Sequence, residues 1–290
     1  MLTKLAIGTA NFTQKYGIFS NGHAISQKEV NSIFNLAVNF GIDTCDTAFA
    51  YGDLFSVIKN NPITYDMKII NKFSVLDNYQ SILNRMQFIK DRYNFKGYYA
   101  ILLHNPQELH NLNKTDQKKL SVFFDTILEN SYAKKIGVSC YDLEEVKQFN
   151  SIKIPDIIQV PLNPLNQKFI NNDFFNYINN HNIEIHARSL FLQGLLLTDN
   201  LPEALIDLKP LLDKFIKIIS PYRSRLKTIL SWASSQNWVH KWVLGVNSLN
   251  NLQEIINYSS DIETSDFSNL FIDFKNIQSN LIDPRNWLLT

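Results

Sequence analysis

An aspartate and a tyrosine lie five positions apart, where a short strand pattern passes into a loop. Asp46 stands at the end of the strand pattern, and Tyr51 stands in the loop that follows. Parallel α/β proteins usually place their chemistry at this carboxyl end of a strand. Burial of an unpartnered carboxylate costs a few kcal/mol, so we expect Asp46 to pair with a group from a neighbouring strand.

Lys72 and His104 hold the corresponding positions at the ends of the next two strand patterns. A Lys72 ammonium near Tyr51 would lower the pKa of the phenol from its ordinary value of ~10, while Asp46 holds the ammonium in place. His104 would orient a carbonyl oxygen beside the Tyr51 hydroxyl, which then acts as a general acid for carbonyl reduction or as a base for alcohol oxidation. None of these side chains supplies a hydride, so this chemistry requires a nicotinamide cofactor.

Each of the four residues also has an ordinary structural interpretation. Lys72 could be an exposed lysine at a fraying strand end, and Asp46 could be a helix N-cap or a simple ion-pair partner. His104 could be a core histidine with satisfied hydrogen bonds, and Tyr51 could be a loop aromatic that covers apolar surface. The functional hypothesis therefore depends on their joint occurrence at the ends of adjacent strands.

Short strand patterns alternate with longer amphipathic segments along the whole chain. The predicted strands are residues 5–10, 43–47, 67–73, 98–103, 135–139, 157–160, 183–188 and 242–246. Eight such alternations without a Gly/Ser-rich linker favour a closed (β/α)8 TIM barrel over an open sheet. We therefore predict a single barrel domain over residues 1–290, with a C-terminal helix and tail of about residues 266–290 packed on it.

In such a barrel, the last inward-facing residue of every strand points towards one pocket. The residues at these strand ends are Gly8 or Thr9, Asp46, Lys72, His104, Ser139, Gln159, Arg188 and residues 245–248. The strands themselves are apolar, so the sequence predicts a polar pocket above an apolar barrel.

Composition and spacing argue against several classes of function. The formal net charge of +1 gives no reason to expect nucleic acid or an anionic membrane as a partner. Cys45 and Cys140 form no CxxC spacing, and the six histidines show no HxH or HExxH spacing, which disfavours a metal-dependent hydrolase. The sequence shows neither a signal peptide nor a long apolar run. We expect the protein to be cytoplasmic and to bind no metal. Its substrate should be a small carbonyl molecule, and it should be a monomer or a weak homo-oligomer.

Several motifs resemble those of the aldo-keto reductases, in the same order along almost the whole chain. The most specific pieces are Asp46-Thr47-Ala48 with Tyr51-Gly52, then Lys72-Phe73 and Leu102-Leu103-His104. Supporting pieces are residues 5–10 with Tyr16-Gly17, and residues 136–139, 159–163, 187–189, 192–194 and 244–246. Residues 188–189 with 192–194 resemble a bacterial subgroup found with sugar and surface-polysaccharide biosynthesis.

The resemblance implies an NAD(P)H-dependent carbonyl reductase on a (β/α)8 barrel. It implies a catalytic tetrad of Asp46, Tyr51, Lys72 and His104. It assigns the nicotinamide carboxamide to Ser139 and Gln159, the pyrophosphate to Ser189, Leu190, Gln193, Gly194 and Leu195, and the adenosine end to Ser248 and Glu254. The predicted cofactor site is completed by Gly8, Thr9, Asp46 and Arg188.

The sequence departs from the family pattern at the cofactor site. Cys140 stands where an asparagine commonly follows the serine, and Arg188 stands where an aromatic ring often stacks on the nicotinamide. Residues 246–252 contain no lysine or arginine, although the family usually clamps the adenosine 2′-phosphate there with charge-assisted donors. We therefore predict weak selectivity for NADP(H), unless Arg188 or Lys241 substitutes for the missing basic group.

The sequence thus predicts NAD(P)H-dependent reduction of an aldehyde or ketone, such as a sugar or a sugar-derived carbonyl. One alternative is a catalytically weak nicotinamide-binding barrel that senses redox state or regulates a partner. Another is a barrel that uses Lys72 as a Schiff-base nucleophile, which would leave Tyr51 and His104 without a role.

Overall fold

The computed structural model describes residues 1–13, 25–58, 61, 66–262, 266–277 and 280–287. Within this part of the chain, eight parallel strands close into a barrel in which each strand pairs with its neighbours in sequence and the last pairs with the first. The predicted (β/α)8 barrel is confirmed. Tyr16 and Gly17 of the sequence motifs lie outside the described residues.

Every predicted strand is present, and its bounds differ from the prediction by two residues or fewer. The strands are Leu5–Gly8 (β1), Thr44–Asp46 (β2), Lys68–Phe73 (β3), Tyr98–Leu103 (β4), Ala133–Ser139 (β5), Ile157–Pro161 (β6), Glu184–Arg188 (β7) and Lys241–Gly245 (β8). The strand β1 ends at Gly8 because a short helical turn begins at Ala10.

The helices alternate with the strands and cover the outside of the barrel. Their bounds are Ala10–Thr13 (α1), Gln27–Asn39 (α2), Leu54–Ile58 (α3), Tyr79–Tyr93 (α4), Lys114–Glu129 (α5), Leu143–Asn150 (α6), Asn172–His181 (α7), Lys209–Ile219 (α8), Arg225–Ser235 (α9) and Leu249–Ser260 (α10). Most of the longer helices begin at a side chain that accepts a hydrogen bond from an amide of the first turn, which stabilises a helix by about 1 kcal/mol. These N-caps are Ser26, Asn78, Asn113, Asp142, Asn171, Ser224 and Ser248.

An apolar layer fills the middle of the barrel. It consists of Ile70, Ala100, Leu102 and Ile157, which are fully buried. Each large aliphatic side chain in this layer stabilises the fold by roughly 1.5–3 kcal/mol. Gly137 of β5 lies beside the layer, where an added Cβ would come within 2.0 Å of the Ile157 carbonyl oxygen. Glycine is therefore required there for the strands to approach this closely.

The described residues of the C-terminal region, 266–277 and 280–287, pack on the barrel. Its described residues form short 3-10 turns at Ile272–Phe274, Asn280–Ile282 and Pro284–Asn286. Phe271 anchors the region, because its ring is buried against Phe215 and Trp232. The assignment of residues 1–290 to a single domain stays a prediction.

No helix in the described ranges combines the length and the apolar character needed to cross a membrane. Cys45 and Cys140 are both buried free thiols, and burial raises the pKa of each. Neither thiol therefore has the properties of a reactive cysteine.

Candidate active site

A cavity of about 540 Å³ opens at the carboxyl end of the barrel. This volume lies in the usual range for small-molecule and cofactor sites. Most of the residues that the sequence predicts for the site line this cavity. They are Gly8, Thr9, Asp46, Tyr51, Lys72, His104, Ser139, Gln159, Arg188, Ser189, Leu190, Gln193 and Gly194.

Lys72 and Asp46 form a buried ion pair on the floor of the cavity. The Lys72 Nζ atom lies 2.5 Å from Asp46 Oδ1 and donates a second hydrogen bond of 2.7 Å to the Thr47 carbonyl oxygen. The two side chains are only 2% and 6% exposed. Burial lowers the pKa of Lys72, and the negative charge of Asp46 opposes that decrease. Loss of either partner would leave the other charge buried and uncompensated.

A chain of hydrogen bonds extends from Asp46 across the floor of the cavity. Gln159 Nε2 donates to Asp46 Oδ2 at 2.7 Å, and Ser139 Oγ donates to Gln159 Oε1 at 3.4 Å. Arg188 Nε in turn donates to Ser139 Oγ at 3.3 Å. These contacts join β2, β6, β5 and β7, so the polar groups hold one another in fixed positions.

Tyr51 and His104 lie above this floor. Tyr51 ends a short 3-10 turn, Phe49–Tyr51, directly after β2, and its hydroxyl oxygen lies 3.4 Å from His104 Nε2. The Lys72 Nζ atom lies 5.7 Å from the centre of the Tyr51 ring. The structure therefore brings together all four side chains of the predicted tetrad, while their catalytic roles stay a prediction.

His104 continues the β4 ladder by donating its backbone amide to the Phe73 carbonyl oxygen at 2.8 Å. Burial, together with the positive charge of Lys72, lowers the pKa of the His104 imidazole to about 4. The ring is therefore neutral near pH 7 and carries a single N–H donor. A neutral imidazole can hydrogen-bond a carbonyl oxygen without bringing a further positive charge to the site.

The loop after β7 forms one wall of the cavity in an unusual backbone conformation. Ser189, Leu192 and Gln193 have φ values of 64°, 47° and 54°, and Gly194 has a φ of 94°. Left-handed conformations cost roughly 1–2 kcal/mol for residues with a Cβ. Strain of this kind occurs preferentially at ligand-binding sites, where surrounding contacts hold it in place.

Three residues predicted for the cofactor site do not line the cavity. Leu195 is buried in the core, and Ser248 is the N-cap of α10, where its hydroxyl accepts from the Asn251 amide at 3.1 Å. Glu254 is exposed on α10, one helical turn farther from the cavity than Asn251. Asn247 and Asn251 line the cavity in their place.

The suggestion that Lys241 replaces a missing basic group at the cofactor site is wrong. Lys241 begins β8, at the end of the barrel opposite the cavity. Its Nζ atom lies 2.5 Å from Asp43 Oδ1 and 2.8 Å from the Thr3 carbonyl oxygen. Arg188 does line the cavity, but its guanidinium donates to Ser139 and to the Cys140 carbonyl oxygen.

Tyr141 and Arg285 also line the cavity, although no sequence motif pointed to either residue. The Arg285 guanidinium carbon lies 3.3 Å from the centre of the Tyr141 ring, and that of Arg188 lies 4.1 Å from the same centre. Arg285 belongs to the C-terminal region, far along the chain from the strand ends. Only the fold could show that this region reaches the mouth of the cavity.

The described residues contain no cluster of three or more His, Cys, Asp or Glu side chains that could hold a metal ion.

Among curated proteins, no match to the chain was found. Among solved structures, the aldo-keto reductase AKR11C1 of Bacillus halodurans in its holo form is 14% identical, with 97% of this chain and 95% of that chain covered and a TM-score of 0.73. A single-residue variant of Gox0644 in complex with NADPH is 15% identical, with 96% and 93% of the two chains covered and a TM-score of 0.64. At these identities the similarity supports the fold alone.

The family comparison concerns the sequence itself. The model of the Aldo/keto reductase family matches residues 4–270, a span that contains all eight strands and the whole predicted tetrad. The chain therefore belongs to the aldo/keto reductase family.

Proposed function

We propose that the protein reduces an aldehyde or ketone and that Tyr51 is the general acid of the reaction. As a member of its family, the protein is an NAD(P)-dependent oxidoreductase. The observation that supports a role for Tyr51 is the position of its side chain, with its ring 5.7 Å from the buried Lys72 ammonium and its hydroxyl 3.4 Å from His104.

The cavity has the features that a nicotinamide dinucleotide requires. The buried groups Ser139 and Gln159 can hydrogen-bond the carboxamide, and the strained loop that contains Gln193 and Gly194 borders the cavity where phosphates could be held.

Each side chain of the tetrad has a separate task in this proposal. The Lys72 ammonium stabilises the phenolate that forms when Tyr51 passes its proton to the carbonyl oxygen. Asp46 keeps the ammonium in place, and the neutral His104 ring directs the carbonyl oxygen towards the Tyr51 hydroxyl. A bound reduced nicotinamide supplies the hydride to the carbonyl carbon.

The test is turnover on a panel of aldehydes, ketones, aldoses and keto sugars, followed by the loss of reduced-nicotinamide absorbance. Sugars belong in the panel because the sequence around Arg188 resembles a subgroup associated with sugar biosynthesis. We expect Tyr51→Phe to lower kcat/KM by about 10²–10⁴-fold, which is the usual contribution of a positioned general acid. The matched control is Tyr222→Phe, because Tyr222 is exposed and distant in sequence from the cavity-lining residues.

An undiminished rate in Tyr51→Phe would remove Tyr51 from the mechanism. Tight binding of the reduced cofactor without turnover on any member of the panel would instead favour a sensing or regulatory barrel. Borohydride trapping of a substrate on Lys72 would point to Schiff-base chemistry.

A further inference from the structure

We propose that Arg85 is a positioning residue for the reaction, because it holds the loop that carries Tyr51 at the edge of the cavity. Arg85 belongs to α4, in the outer layer of helices, and is not among the residues that line the cavity. This inference rests on the proposed role of Tyr51 and adds to it the group that keeps the phenol in place.

The loop that carries Tyr51 has little local structure of its own. The 3-10 turn Phe49–Tyr51 is closed by the Tyr51 amide, which donates to the Ala48 carbonyl oxygen at 2.9 Å. Within the described part of the chain, no side chain caps the start of this turn. Gly52 follows it with a φ of 101°, a conformation that favours glycine. Because a single short turn is only marginally stable, the position of Tyr51 depends on contacts between its loop and the neighbouring elements.

Arg85 contacts this loop on both sides of Tyr51. Its guanidinium carbon lies 5.1 Å from the centre of the Phe49 ring, two residues before Tyr51. Its Nη2 atom donates to the Gly52 carbonyl oxygen at 3.2 Å and lies 3.8 Å from Asp53 Oδ1. A planar guanidinium can stack on a ring and donate to several oxygens at once, which the compact ammonium of a lysine cannot do as well.

The groups that Arg85 contacts are themselves anchored in the fold. The Phe49 ring packs edge-on against the buried ring of Tyr98 in β4, with 6.3 Å between the ring centres. Asp53 Oδ1 accepts from the Phe55 amide at 3.1 Å, at the start of α3. Arg85 lies near the middle of α4, which buries its apolar face. Through these contacts the loop is held against three elements, β4, α3 and α4.

The position of the loop determines where the Tyr51 hydroxyl lies. That hydroxyl is 3.4 Å from His104 Nε2, and the Tyr51 ring is 5.7 Å from the Lys72 Nζ atom. A displacement of about 1 Å at a reacting group can lower a rate by roughly 10²-fold. Loss of the Arg85 contacts should therefore slow proton transfer from Tyr51 without altering the surface that binds the cofactor.

The test is Arg85→Met, which removes the donors and the charge but keeps a long unbranched side chain. We expect kcat for the best carbonyl of the panel to fall by about 5–20-fold, a fraction of the loss that misplacement of a reacting group can cause. The KM of the reduced cofactor, and its affinity in fluorescence titration, should stay within about twofold, since only the chemical step is affected. Arg85→Lys keeps the charge but not the fork of donors, and should recover about half of the loss on a logarithmic scale.

Arg92→Met is the matched control, because Arg92 is exposed on the same helix, two turns farther along. It should leave kcat within about twofold, as expected of a surface substitution. An equal loss in Arg92→Met and Arg85→Met would overturn the positioning role.

A double variant distinguishes the positioning of Tyr51 from a general structural role. Added to Tyr51→Phe, Arg85→Met should lower the residual rate by no more than about twofold, because the hydroxyl that Arg85 positions is already absent. A further loss as large as that of the single variant, an undiminished kcat in Arg85→Met, or loss of its cofactor binding would overturn the inference and leave the proposed function intact. An undiminished rate in Tyr51→Phe would contradict the proposed function and this inference together.

Discussion

The two ends of the barrel interior carry similar side chains and differ in how these are satisfied. At the carboxyl end, the Lys72–Asp46 pair and its neighbours border a cavity. At the amino end, Lys68 and Lys241 both pair with Asp43, at 2.8 and 2.5 Å. The apolar layer defined above lies between the two groups of charges. Lysines and carboxylates thus point inward at both ends, but they face a cavity only at one.

A second cluster at the amino end shows how closely its charges are packed. Glu184 Oε2 lies 2.5 Å from Lys135 Nζ and accepts from the Tyr99 hydroxyl at 2.7 Å, while Glu184 Oε1 lies 2.7 Å from His186 Nε2. Burial alone would raise the pKa of Glu184, but these hydrogen bonds bring it well below its ordinary value. Both oxygens of this carboxylate are hydrogen-bonded to other side chains of the protein, as expected of a residue that stabilises the fold.

Residue type and inward direction do not by themselves identify a functional site. Lys68 and Lys72 belong to the same strand and are four residues apart, yet only Lys72 borders the cavity. Glu184 and Arg188 are likewise four residues apart on β7, and only Arg188 borders the cavity. The end of the strand at which a residue lies, and the space in front of it, determine whether it can meet a ligand.

The largest expected difference between the two ends concerns turnover. Lys72→Met removes the ammonium beside Tyr51 and should lower kcat/KM by about 10²–10⁴-fold. Lys68→Met removes a half-exposed partner of Asp43 at the other end and should leave kcat/KM within twofold. The measurement is steady-state reduction of the best carbonyl in the panel. A comparable loss in both variants would show that the two ends are functionally coupled.

The next largest effect concerns stability at the amino end. Glu184→Gln removes the carboxylate shared by Lys135, Tyr99 and His186, and should lower the free energy of unfolding by about 2–4 kcal/mol near pH 7. Turnover under native conditions should be preserved, because none of these groups borders the cavity. Urea denaturation measures the change.

The control for this effect is Glu144→Gln, since Glu144 forms an exposed ion pair with Lys147. Its loss should change the free energy of unfolding by about 0.5 kcal/mol or less. A similar cost in the two variants would mean that the buried cluster is no more stabilising than a surface pair.

The smallest effect is a pH dependence that arises at the carboxyl end. His104 has a pKa of about 4 in the folded protein and 6.5 as its ordinary value, so between these pH values the unfolded chain binds more protons. Stability should therefore fall as the pH decreases from 6.5 to 4, by about 1–2 kcal/mol through this residue after allowance for its partial exposure. His104→Gln should remove that part of the slope in urea denaturation at several pH values. The exposed His181, replaced by Gln, is the control, and an unchanged slope in His104→Gln would contradict the assignment.

Much of the fold could be predicted from local patterns in the sequence. The strands follow from short apolar runs such as residues 98–103, and the helix starts follow from N-caps such as Ser26. Strand order and direction then brought Asp46, Lys72 and His104 to one end of the barrel, because parallel strands share their carboxyl edge. The position of Lys241 at the start of β8 also places it at the amino end, which is why it could not reach the cofactor site.

Contacts between distant segments could not be predicted in the same way. Glu29 lies in the first turn of α2 and bonds Leu249, which is 220 residues away in sequence. Arg285 reaches Tyr141 only because the C-terminal region folds back over the barrel. The position of Glu254 depends on the phase of α10, and a motif alone does not show which turn of a helix faces the cavity.

The apolar layer in the middle of the barrel separates the charged side chains of its two ends. Ile70, Ala100, Leu102 and Ile157 lie between the charged groups of the amino end and those that border the cavity. We therefore expect substitutions among the amino-end charges to change stability without direct contact with the groups that border the cavity. Gly137 is the point of closest approach beside this layer. A bulkier residue there would displace Ile157 and with it β6, the strand that carries Gln159 to the cavity.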